Sequence, residues 1–130
     1  MRAPHAVADT SVFIAIEAGR RLDLEAVPER LTVSSITIGE LRAGVLASPD
    51  PETTAIRLDT LLWAMEAESA PVDTPVAEAW AQLRTRLLGL GRRMPVNDSW
   101  IAATAVALGV PVVTQDDDYD GVPGLDVIRV

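Results

Sequence analysis

The sequence predicts one α/β domain with an open sheet and helices packed against it. Three observations carry this. Short apolar strand signals alternate with amphipathic helical stretches. Acidic residues recur where a strand signal gives way to a helix signal. A chain of 130 residues, 48% of them hydrophobic, is large enough for one domain with a real core, taken as residues 1–130.

His5-Ala-Val-Ala8 reads as the first strand and ends at Asp9. Thr10 and Ser11 can cap a helix through SVFIAIEAGRR, which puts Arg20 and Arg21 in its last turn. Residues 31–34, LTVS, are the second strand. They lead into TIGELRAGVLAS, where Thr37-x-x-Glu40 fits a capping box and Leu41, Val45 and Leu46 form an inner face. A third helix is predicted from Pro51 to Glu68, with Ile56, Leu61, Leu62 and Met65 as its apolar stripe. Asp59, Glu66 and Glu68 form its solvated face, and Trp63 marks a partner surface. After an extended turn at Pro71–Pro75, with Thr74 as the cap, a fourth helix runs from Val76 to Leu90. It turns Trp80, Leu83, Leu87 and Leu88 inward and Arg84 and Arg86 outward.

The most informative stretch is PVNDSWIAATAVALGVPVVTQDDDYD, residues 95–120. A helix opened by Asn97-Asp98 carries Ile101, Ala102, Ala105 and Leu108 on one face and stops at Gly109-Val-Pro111. The β-branched run PVVT reads as a strand buried on both faces. Eleven or so helical residues descend roughly 16 Å. Five strand residues climb roughly 16 Å back. Asp98 and Asp116 therefore fall at the same edge of the sheet, the carboxyl edge where open α/β sheets bind ligands. The chain closes with a turn at Gly121–Gly124 and an edge strand from Leu125 to Val130.

Composition removes several chemistries. There is no cysteine and one histidine, His5, so a disulfide, a thiolate site and a Cys/His zinc site are excluded. A Ser-His-Asp triad would have to use His5, which has no local partner motif. Any bound metal must be held by oxygens, which favours Mg²⁺ or Mn²⁺. No apolar run reaches membrane-spanning length, and the N-terminus lacks the order of a signal peptide, so a cytoplasmic protein is expected. The net charge of −8 argues against a generic nucleic-acid binder. Its weight is limited, because an acidic site neutralised by a divalent ion counts in that total only on paper.

Each acid has a structural explanation of its own. Asp9 and Asp98 can be caps, Glu40 belongs to the capping box, and Asp116 to Asp118 form an Asp-rich turn. Their convergence is harder to explain. Four carboxylates at one edge, Asp9, Glu40, Asp98 and Asp116, raise one another's pKa unless a cation sits among them. A divalent ion held there can activate water and stabilise charge on a phosphoryl group, so metal-dependent phosphodiester hydrolysis is the expected reaction class. Arg92 and Arg93, the one basic cluster beside this edge, are candidate phosphate contacts.

ADTSVFIAI, SSITIGELRAG and NDSWIAATAVALGVPVVTQDDDYD, taken in order, resemble the three motif blocks of PIN-domain ribonucleases, and more closely the VapC toxins of type II toxin–antitoxin pairs. The resemblance spans essentially the whole chain. It implies a three-layer α/β/α sandwich with a central, mostly parallel sheet of about five strands. It also implies a metal-binding set of Asp9, Glu40, Asp98 and Asp116, with Thr114 and Asp118 as helpers and Thr10 and Asn97 beside the metal. An RNA substrate, Mg²⁺ with Mn²⁺ as a substitute, a homodimer and a small inhibiting VapB-like antitoxin are implied with it. Two positions depart from the family pattern: Gln115 stands where many members have Arg, and Asp117, assigned to an exposed turn, adds a negative charge.

Other readings fit less well. A toprim-like nuclease would share the Asp116-x-Asp118 pattern but wants Glu where the first strand ends in Asp9. A phospho-acceptor receiver domain needs a late lysine, and all basic residues here are arginine. A catalytically silent module of the same fold, serving only to bind its partner, remains as the non-enzymatic alternative.

Overall fold

The computed structural model describes residues 3–130. Met1 and Arg2, the start of the segment read for a leader, lie outside the described residues. Five strands, β1 (His5–Ala8), β2 (Arg30–Ser34), β3 (Glu68–Ala70), β4 (Val112–Thr114) and β5 (Val127–Arg129), form one sheet in the order β3-β2-β1-β4-β5. Every pairing is parallel. The helices are α1 (Thr10–Glu17), α2 (Ser35–Leu46), α3 (Pro51–Met65), α4 (Thr74–Gly89) and α5 (Val96–Leu108), with a 3-10 turn at Leu24–Ala26. The expected sandwich on a parallel sheet of about five strands is what the chain forms.

Alternation along the strands divides the core. Val7 and Val112 point to the side of Leu83 and Leu87 of α4 and Ile101, Ala102 and Ala105 of α5. Their neighbours Ala8 and Val33 point the other way, onto Phe13, Leu41, Leu61 and Ala64 from α1, α2 and α3. Ala6, Val12 and Val113 form a smaller cluster. Burying side chains the size of Leu61 or Ile101, each at 0% exposure, contributes about 1.5–3 kcal/mol apiece.

Several helix boundaries and faces differ from expectation. α1 stops at Glu17, because the backbone N–H of Arg20 folds back to the Ala15 carbonyl at 2.8 Å and closes the helix. Arg20 and Arg21 therefore lie beyond its last turn. α3 ends at Met65, and Glu68 begins β3, where backbone pairing with Thr32 overrides a sequence without strand formers. Asp73, not Thr74, caps α4 by accepting from the Val76 N–H at 3.1 Å. Leu46, Ile56, Leu62, Met65, Leu88 and Leu108 are exposed, since each helix meets the sheet along a stripe narrower than its apolar content. The predicted stop of α5 holds: Gly109 adopts φ +68°, a left-handed conformation that a Cβ would strain.

The strand order places the site. From β1 the chain adds β2 on one side and β4 on the other, so the crevice beyond the carboxyl ends of β1 and β4 is the switch point of the sheet. Asp9 follows β1 directly, and Gln115 and Asp116 follow β4. α5 is longer and β4 shorter than the estimate from sequence, yet helix start and strand end still meet at this edge.

Candidate active site

Asp9 is the anchor of the crevice. It caps α1, its Oδ2 accepting from the Ser11 N–H at 3.3 Å, and is only 1% exposed. Oδ2 also accepts from Thr114 Oγ1 at 2.9 Å, and Oδ1 accepts from the Tyr119 hydroxyl at 2.7 Å. A buried carboxylate is tolerated when its lone pairs are matched in this way. Thr114 spends its one proton on Asp9, so across the 3.1 Å separation from Ser11 Oγ the serine is the donor. Thr114 Oγ1 further accepts from the Asp116 N–H at 2.9 Å, and Ser11 Oγ from the Gln115 N–H at 3.0 Å. This relay fixes where the acidic loop leaves β4.

Asp9 is the cap the sequence predicts, but Glu40 and Asp98 are not caps. Ser34 caps α2 through its contact with the Ile36 N–H at 3.1 Å, which leaves Thr37 fully buried and Glu40 well inside the helix. Glu40 instead accepts from Thr10 Oγ1 at 2.7 Å. With that proton committed, Thr37 donates to Thr10 at 2.9 Å. Asp98 lies in the first turn of α5, whose cap position is Pro95 with no side-chain bond. There the exposed ends of the helix N–H groups favour its negative charge.

Asp98 comes together with Asp116 and Asp118. One carboxylate oxygen from each lies within 4.8 Å of the others. Burial, a hydrogen bond with Asp118 and the charges of Asp9, Asp118 and Asp116 push Asp98 up to about 7 from its ordinary 3.8. Asp116 is also raised, first by burial and then by Asp9 and Asp118, with Arg129 pulling the other way. Burial, then the charge of Asp9, drives the Tyr119 phenol far up, so it stays a donor. The site is short of positive charge, and a donor set made only of oxygens suits a hard divalent cation.

Of the sequence-predicted residues, Asp98, Asp116 and Asp118 form this triad. Asp9 stands behind it as the buried support, and Thr114 links the two. Glu40 and Thr10 stand outside the triad, joined to each other, and Asn97 is exposed beside Asp98. Asp117 is exposed, its carbonyl accepting the turn bond from the Asp120 N–H at 3.0 Å. Arg92 donates to the Asp118 carbonyl at 3.1 Å, while Arg93 is exposed. His5 contacts Thr32 Oγ1 at 2.7 Å within the sheet, away from the crevice.

Four contributors escaped the sequence reading: Ser11, Thr37, Tyr119 and Arg129. For Tyr119 a signal existed, a lone aromatic among acids in QDDDYD, and it is fully buried. Arg129 comes from β5, donates to the Gln115 carbonyl at 2.9 Å and pairs with Asp120 at 3.3 Å. It supplies a positive charge beside the position where Gln115 lacks one.

Comparison with known proteins agrees with this fold. The family model described as PIN domain matches residues 6–125. Ribonuclease VapC5 of Mycobacterium tuberculosis is 47% identical over 127 residues, 95% of this chain and 94% of that protein. Ribonuclease VapC4 of the same organism is 47% identical over 135 aligned positions, covering 100% of both chains. The crystal structure of VapBC-5, a member of the VapBC family of toxin–antitoxin systems from M. tuberculosis, superposes with a TM-score of 0.90 at 44% identity, covering 98% of this chain and 100% of that one. The chain belongs to the PIN-domain family, in the branch of the VapC proteins.

Two outcomes follow for the metal-free protein. Tyr119→Phe takes one donor from a buried carboxylate, and denaturant unfolding should show a loss of about 1.5–3 kcal/mol, the range for hydrogen bonds to charged groups. An unchanged midpoint would remove Tyr119 from the supporting network. The raised Asp98 sets the pH dependence. Between 3.8 and about 7 the folded chain holds a proton there that the unfolded chain has released. Stability in EDTA should therefore fall as pH rises through that window. Asp50, whose backbone bond from Thr53 lowers its pKa, acts with the opposite sign but only below 3.8. A midpoint that climbs from pH 5 to 7 would contradict this.

Proposed function

We propose that this protein is a metal-dependent endoribonuclease, the toxin of a type II toxin–antitoxin module, which hydrolyses RNA phosphodiester bonds in the cytoplasm. The observation that carries the reading is the carboxylate triad of Asp98, Asp116 and Asp118 at the switch point, backed by buried Asp9. RNA as the substrate follows from the relatives named as ribonucleases. The intact acidic set favours an enzyme over a silent binding module.

Asp98, Asp116 and Asp118, with Asp9 and Glu40 as the further acids of the edge, would hold Mg²⁺ or Mn²⁺. Such an ion supplies a water of lowered pKa and a counter-charge for the oxygens of the phosphoryl group. The chain's own residues prepare the place. Thr114 and Tyr119 keep Asp9 oriented, α5 holds Asp98 on a rigid first turn, and the Thr37–Thr10–Glu40 chain fixes the second wall. Asp98 is the group that gives up a proton near neutrality when a cation or an attacking water needs its oxygen.

The direct test is cleavage of a labelled total-RNA pool by antitoxin-free protein with Mg²⁺ or Mn²⁺. EDTA should abolish the cuts, and Asp98→Asn should slow them by about 100-fold or more. Well-folded, metal-loaded protein that leaves the pool intact would sink the enzyme.

The antitoxin reading rests on the VapBC relative and on an apolar surface. No helix of the described residues is long and apolar enough to cross a membrane. Apolar side chains exposed together on neighbouring helices suit a protein partner. Trp63 of α3 packs edge-on against Phe13 of α1 at 5.1 Å yet stays 47% exposed, with Ile14, Leu62 and Met65 also exposed on these two helices. Trp63→Ala should weaken binding of a small VapB-like antitoxin by about tenfold or more, measured by calorimetry. Equal affinity would place the antitoxin elsewhere.

A further inference from the structure

We propose that the cavity between α4 and the start of α5 is a subsite for one unpaired nucleotide of the RNA strand next to the cleaved bond. This rests on the ribonuclease reading above and extends it to a place that the acidic triad does not include. The cavity holds about 250 Å³ and is lined in part by Trp80, Arg84, Arg92, Arg93 and Met94. That is below the roughly 300–1,000 Å³ of pockets for drug-sized ligands, and is the scale of a single base.

Charge is the first argument. In a chain of net charge −8, Arg84, Arg86, Arg92 and Arg93 gather four of eleven basic residues into one stretch. Among the described residues none of the four is ion-paired to an acid. Arginines left without counter-charge on an acidic protein, three of them exposed and Arg92 half-buried, are what a polyanion would complete.

Shape is the second argument. Trp80 stacks on Trp100 with centroids 4.4 Å apart and planes at 5°, and its indole N–H donates to Ser99 Oγ at 3.0 Å. The platform is therefore fixed. Arg84 lies over the Trp80 ring, 5.3 Å from its centroid, and offers a planar cationic surface at the cavity wall. Unpaired bases stack on such guanidinium and aromatic planes, whereas a duplex could not present one.

Connection is the third argument. Arg92 lines the cavity and also donates to the Asp118 carbonyl at 3.1 Å. The cavity wall and the acidic loop are thus one hydrogen bond apart. A strand with its scissile phosphate at the triad would bring the next nucleotide to Arg92 and Arg93, with its base against Arg84 and Met94.

The test uses Arg84→Ala and Arg93→Ala, both at exposed positions, with Arg20→Ala as a control that removes the same charge elsewhere. Binding of a short fluorescein-labelled single-stranded RNA of random sequence is read by anisotropy in the Asp98→Asn background. KM for cleavage is read in the otherwise unchanged protein. Each cavity variant should weaken binding and raise KM about tenfold, and flatten the salt dependence of log affinity by about 0.7. The control should match the parent. If alanine lowers the melting midpoint, Arg→Gln variants, which keep much of the side-chain stem, repeat the measurement. RNA cut with unchanged KM in both cavity variants overturns the subsite and leaves the nuclease standing. RNA bound through Arg84 and Arg93 but never cut by the wild type does the reverse. RNA neither bound nor cut removes both, and would make the arginines a surface for a protein partner.

Discussion

Asp9 puts a carboxylate at the end of the central strand, where almost no water reaches it, and much of the surrounding architecture answers that charge. An ion in such a place costs several kcal/mol unless donors surround it. The donors come from three separate parts of the chain: the start of α1, the end of β4 and the acidic loop. Since two of them lie more than a hundred residues away in sequence, forming the site and closing the fold are the same event. Thr114 shows this best, binding Asp9 with its hydrogen while its oxygen receives the loop backbone.

Once Asp9 is fixed, the remaining acids inherit an electrostatic problem. Asp98, Asp116 and Asp118 stand within reach of one another and of Asp9, and little positive charge is offered in return. Arg129 offsets part of it from one flank, and Arg92 gives one of its N–H donors to a carbonyl from the other. The metal-free state is therefore frustrated at this crevice. Frustration of this kind is expected where function, rather than stability, has set the residues.

What could be read from the sequence was whatever has a local signature. The buried run of β4, the Gly109 stop and the strand-to-helix placement of Asp9, Asp98 and Asp116 all depend on neighbours a few positions away. β3 could not be read, because Glu68-Ser-Ala70 becomes a strand only through its register with β2. The capping box at Thr37 misled for a related reason. Ser34 reaches the helix start first, and the fold then turns Thr37 inward to Thr10. Tyr119 and Arg129 belong to the site through contacts made across the sheet, which periodicity does not encode. The family resemblance supplied the acids in order, but not the polar relay that holds them.

The link from β4 to β5 is short. It joins two parallel strands over residues 115–126 without a helix, close to the shortest crossover that parallel strands allow. The same residues carry Asp116, Asp118 and Tyr119, so there is no slack to remove from either end. Divergence in this protein's lineage would accordingly be free to lengthen or trim the connection at 18–29, which holds only a 3-10 turn. In the acidic loop, change is confined to swapping one side chain for another at constant length.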